Sequence, residues 1–112
     1  DLGAEYVLVG HSELRKEGDD ELVVLEKIKE ALRFAITPVV CVGYSDYIKE
    51  VLNVINNFSA EEINRLIFAY EPIVAIGSNN PAEPKRVEEV IRNIKKIWWY
   101  AFMAATYQMI GM

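Results

Sequence analysis

The residues best suited to chemistry in this chain are one imidazole and one carboxylate, each standing at the end of an apolar run. His11, the only histidine, closes the run Val7-Leu8-Val9-Gly10 and is followed by Ser12 and Glu13. Glu71 closes Ala69-Tyr70, and Pro72 comes directly after it. Proline has no N–H to give to a ladder, so a strand stops there and leaves the carboxylate at its end. An imidazole holds or gives a proton near neutrality, and a carboxylate partly desolvated by Ala69, Ile73 and Ile76 gains basicity. The pair therefore has the groups that general acid–base chemistry needs. Gly77, in the loop after Glu71, lacks a Cβ and lets a backbone N–H approach an anion closely. Each residue also has a plain structural reading: a histidine hydrogen-bonded at a strand end, a solvated strand-end glutamate, a turn glycine. On the residues alone both readings stay open.

Three βα units must position these groups. Tyr6 to Gly10 is a short strand rich in β-branched residues, and Asp19 and Asp20 offer an N-cap to a helix with Leu22, Leu25, Ile28 and Leu32 at helical spacing. Thr37 to Gly43 repeats the strand pattern, and Ser45 is expected to cap a helix whose apolar face is Ile48, Val51, Leu52 and Ile55. Ser59 and Glu62 have capping-box spacing, which predicts a brief helical turn before the third strand, Leu66 to Tyr70. Pro72 to Glu83 lacks periodicity and reads as a long functional loop. Pro84 opens a final helix with Val87, Val90, Ile91, Ile94 and Ile97 along one stripe. Near-continuous apolar strands alternating with amphipathic helices indicate an α/β fold with a parallel sheet.

Composition bounds the function. A chain of 112 residues, 52% hydrophobic and 26% charged, fits one soluble domain, 1–112. A net charge of -5, with Lys and Arg scattered among acids, argues against a nucleic-acid partner. Cys41 is the only cysteine, so no internal disulfide forms, no paired zinc spacing exists, and a reducing, cytoplasmic setting is expected. Residues 98–112 carry no charge but fall short of the roughly 20 apolar residues of a membrane span, so no membrane partner is expected. Trp98, Trp99, Tyr100 and Phe102 are read as core or interface and not as a stacking platform.

The segments Val7 to Glu13 and Ala69 to Asn79, with Cys41-Val42-Gly43 between them, closely resemble the triosephosphate isomerase family from about Asp1 to Ile97. The resemblance implies a partial TIM (β/α)8 barrel, about strands four to six, since a complete barrel takes about 250 residues. It implies that Glu71 is the enolising base and His11 the electrophile, that Glu13 and Ser12 help organise the site, and that Gly77 and Ser78 grip the substrate phosphate. The substrate would be a phosphorylated triose, with no metal and no organic cofactor. Departures accompany the likeness. Leu14 stands where the family has the first of two arginines, Arg15 being the second. Tyr44 replaces a glutamate, Val74 the lid tryptophan, and Asn79 and Asn80 a glycine-lysine pair, with Pro81 stiffening the second hinge of the loop.

Two family features have no counterpart among these residues: the first-strand asparagine and lysine, and the glycine-rich phosphate loop of the last strands. Loss of such an electrostatic group costs on the order of 10²-fold in rate, so weak or absent turnover by this chain alone is expected. Three strands also leave two sheet edges to be covered, by self-association or by a complementing barrel segment. The rival reading is a non-catalytic partial-barrel scaffold that self-associates. A generic phosphate-binding α/β module is a third.

Overall fold

A computed structural model describes residues 5–72 and 83–109. In order along the chain are β1 (Tyr6–Val9), α1 (Ser12–Lys16), α2 (Glu21–Arg33), β2 (Thr37–Val42), α3 (Tyr47–Ile55), α4 (Ala60–Ile63), β3 (Ile67–Tyr70) and α5 (Pro84–Met109). The three strands form one open parallel sheet in the order β1-β2-β3. This is the α/β arrangement expected of part of a barrel.

The register explains which side of the sheet is covered. Val9 pairs with Val40 and Val40 with Phe68, and residues opposite one another in adjacent strands share a face. That face meets the helices: Val9, Val40 and Val42 join Val24 and Ile28 of α2, Val51 and Val54 of α3, and Val90 and Ile94 of α5 in one core. Burying each such side chain contributes about 1.5–3 kcal/mol. The alternate row, Leu8, Val39 and Ile67, lies on the opposite face, where Leu8 is 55% and Ile67 46% exposed.

Caps and glycines set the element ends. Asp20 caps α2 by accepting from the N–H of Val23, and Ser59 and Glu62 close a complete capping box on α4. β1 and β2 each stop one residue short of a glycine in the left-handed region, Gly10 at φ 74° and Gly43 at φ 115°. Several local features differ from the sequence expectation. Leu22 and Ile91, placed on the apolar stripes of α2 and α5, are exposed at the edges of those stripes. His11 caps a five-residue helix, α1, too short to show periodicity. The cap of α3 is Asp46, which accepts from Ile48 and Lys49, in place of Ser45. Its buried side is Glu50, Val51, Val54 and Ile55, with Ile48 and Leu52 exposed, because the Glu50 carboxylate is drawn inward by backbone donors.

The uncharged stretch after Ile97 extends α5 as helix through Met109. Trp98 packs against the core and stacks on Phe102 at 5.3 Å, whereas Trp99 and Tyr100 are exposed, so only part of this aromatic group is core. The loop expected over 72–83 falls almost wholly outside the described residues, and with it Val74, Gly77, Ser78, Asn79, Asn80 and Pro81.

Candidate functional site

His11 and Glu71 meet at the end of the sheet where the strands' C-termini lie, the end at which parallel α/β folds build small-molecule sites. Gly10 turns the chain out of β1, and His11, with φ -59° and ψ 145°, begins α1. Its Nδ1 accepts from the N–H of Glu13 at 3.2 Å. With Nδ1 occupied as an acceptor, the neutral ring carries its proton on Nε2. Nε2 stands 3.2 Å from Oε1 of Glu71. The two atoms are close but not aligned as a hydrogen bond, and Oε1, shielded from solvent, has no hydrogen-bond partner among the described residues. The side chains are 29% and 41% exposed, so both reach the surface of the rim although Oε1 itself is covered.

Glu71 is held from behind. Its N–H donates to the carbonyl of Val42 at 2.9 Å, adding one bond beyond the end of β3. A Cβ on Gly43 would stand 2.6 Å from the Glu71 carbonyl oxygen and 2.9 Å from its carbon. Only glycine admits this approach. Gly10 is likewise confined: a Cβ there would meet Arg15 Nη2 at 2.9 Å and the Cys41 carbonyl at 3.1 Å.

Beneath the rim lies a buried polar cluster. The Arg15 guanidinium donates from Nε to the Gly10 carbonyl at 2.7 Å and from Nη1 to Glu21, and it lies 3.7 Å from Glu50 Oε2. Glu50 accepts from Gly43 N–H at 2.7 Å and Ser45 N–H at 3.2 Å. Glu21 also accepts from Asn53 of α3 at 3.0 Å. Buried polar groups require such partners, since an unpaired one costs about 1–3 kcal/mol. Cys41 lies close by: burial, and then the charge of Glu71, push its thiol above the ordinary value, against an opposing pull from Arg15.

The fold thus brings His11, Ser12, Glu13 and Glu71 to one rim. Ser12 is buried, its hydroxyl without a hydrogen-bond partner among the described residues, while Glu13 is exposed and meets His11 through its backbone N–H. Gly77 and Ser78 lie outside the described residues. Sequence reasoning missed Glu50 and the ties of Arg15. A signal for Glu50 existed, because it sits one turn before Val54 on the inward stripe of α3. Among the described residues no group of three or more His, Cys, Asp or Glu could hold a metal ion, and no helix is long and apolar enough to cross a membrane. Chemically, the rim offers a partly exposed carboxylate beside a ring N–H, a base next to a donor.

Comparison with known proteins gives a consistent result. A family profile described as triosephosphate isomerase matches residues 1–110. The triosephosphate isomerase of Natranaerobius thermophilus is 34% identical over 111 residues, covering 87% of this chain and 43% of that protein. Those of Endomicrobium trichonymphae and Hyphomonas neptunium are 37% and 39% identical, covering 88% and 87% of this chain and 44% and 43% of their own lengths. The chain therefore spans less than half the length of these curated relatives.

Proposed function

This chain belongs to the triosephosphate isomerase family, and from that premise we propose that it carries the family's proton-transfer pair for interconverting dihydroxyacetone phosphate and glyceraldehyde 3-phosphate. Glu71 takes a proton from the carbon beside the substrate carbonyl, and His11 Nε2–H donates to the carbonyl oxygen as negative charge develops there, giving an enediolate. Returning the proton to the neighbouring carbon completes an internal oxidation-reduction with no metal or organic cofactor. Ser12 and Glu13 support the histidine, and Gly77 and Ser78 take the phosphate. The observation that supports this reading is the 3.2 Å approach of the His11 ring to the Glu71 carboxylate at the sheet rim.

The reading places the protein in glycolysis and gluconeogenesis, in the cytoplasm, as one partial-barrel domain, 1–112. Residues 1–112 assayed by themselves are expected to turn over weakly, because the family's first-strand lysine has no counterpart among them. The uncovered row of Leu8, Val39 and Ile67 supports completion by a second copy or by a complementing barrel segment. The same uncovered row favours the rival reading, a self-associating scaffold without turnover.

An isomerase assay in both directions on the purified chain, with size measured by light scattering, tests the two together. Glu71→Gln, which keeps the shape and removes the base, is expected to lower any turnover about 10²–10⁴-fold. Equal turnover by wild type and variant refutes the assignment of Glu71. An inactive oligomer favours the scaffold, and an active monomer removes it.

A further inference from the structure

We infer that Glu50 is a positioning residue, whose buried carboxylate sets the spacing of His11 and Glu71 by tying together the two glycines that carry them. It rests on the reading of those two residues as the reacting pair. Glu50 is 3% exposed and touches neither. Its two oxygens nevertheless reach both. Oε1 accepts from the N–H of Gly43 at 2.7 Å, and Gly43 is the residue on which the Glu71 backbone rests, with no space for a Cβ between them. Oε2 lies 3.7 Å from Nη1 of Arg15, whose Nε donates to the carbonyl of Gly10 at 2.7 Å, the residue directly before His11. One carboxylate thus connects the end of β2, and through it Glu71 after β3, with the end of β1.

Neither reacting side chain has a comparable anchor of its own. Among the described residues the His11 ring accepts one hydrogen bond, from the N–H of Glu13, and the inward oxygen of Glu71 has no hydrogen-bond partner. Their separation is therefore fixed by the backbones on which they stand. The plain alternative is that Glu50 merely satisfies the N–H groups of Gly43 and Ser45 in the turn before α3. That alternative leaves the ion pair to Arg15 without effect on His11, which is where the two accounts part.

The test is nuclear magnetic resonance of the full 112-residue chain, in which the single histidine gives one unambiguous imidazole signal. Glu50→Gln keeps the shape but offers one acceptor oxygen and sets an NH₂ donor against the remaining N–H. Arg15→Lys keeps the charge but loses the forked donor that bonds Gly10 and Glu21 and holds the charge 3.7 Å from Glu50. Both variants are expected to keep the wild-type amide pattern of α2 while shifting the His11 imidazole signals and the Glu71 amide. In a preparation with measurable turnover, kcat is expected to fall on the order of tenfold to a hundredfold with KM little changed, as sub-ångström to ångström misplacement does. If the wild-type chain shows no turnover, the proposed activity fails while the resonance shifts still decide the positioning. Unchanged His11 and Glu71 signals in folded Glu50→Gln would overturn the proposal. So would loss of the folded spectrum in both variants, which assigns Glu50 to folding instead.

Discussion

The two faces of this sheet are built from the same strands and similar residues, yet they differ in what covers them. On one face Val9, Val40 and Val42 are sealed by α2, α3 and α5. On the other Leu8 and Ile67 stand in the open, at the same level along the strands. The difference teaches that apolar content in a strand is a demand for cover and not a record of it. Helices in the same chain meet that demand on one side. On the other, Leu8 and Ile67 leave it unmet in the isolated chain.

The largest way to break the comparison is at the covered rim. Glu50→Ala leaves the N–H groups of Gly43 and Ser45 without an acceptor and Arg15 with Glu21 as its remaining carboxylate, and is expected to cost about 3–5 kcal/mol, read from urea unfolding. Next comes a matched pair. Ile28→Ala, at a fully buried site, should cost about 2–5 kcal/mol, while Ile67→Ala on the open face should cost less than about 1 kcal/mol. Similar losses for the two would mean that the open face is covered in solution. Asp20→Ala removes the cap of α2 and is expected to cost about 1 kcal/mol.

Leu8→Lys should change the stability of the monomer by no more than about 0.5 kcal/mol. If copies of the chain meet through this face, the same change lowers the mass seen in light scattering. Smallest is a pH effect at Cys41, which shares the open face's side of β2 but is buried beneath the rim. Its folded thiol is raised, so the stabilising contribution of the protonated form is complete below pH 9.0, the ordinary value, and is lost as pH climbs through the folded one. Unfolding curves for wild type and Cys41→Ala should diverge only above that point, with wild type losing stability faster.

Much of the fold was legible because apolar periodicity is a local signal. The stripe of Leu25, Ile28 and Leu32 on α2, the strand Thr37–Val42 and the capping box of Ser59 and Glu62 all arise from residues close in sequence. The inward turn of α3 was not legible from its hydrophobic residues. Ile48 and Leu52 satisfy a helical stripe as well as Val54 does, and what chose between them was a carboxylate seeking donors at Gly43 and Ser45. The short helix α1 escaped notice because five residues are little more than one turn.

For the candidate site, the sequence alone determined that one histidine and one glutamate end two strands, since Gly10 and Pro72 punctuate the chain beside them. Family resemblance then gave the pair its proposed roles. Only the tertiary structure decided that Nε2 and Oε1 stand 3.2 Å apart, and that Arg15 and Glu50 bind the strand ends behind them. The reason is physical. A strand's end is set by its neighbours along the chain, whereas the distance between two strand ends depends on register, on a glycine without a side chain, and on buried charges drawn from separate helices.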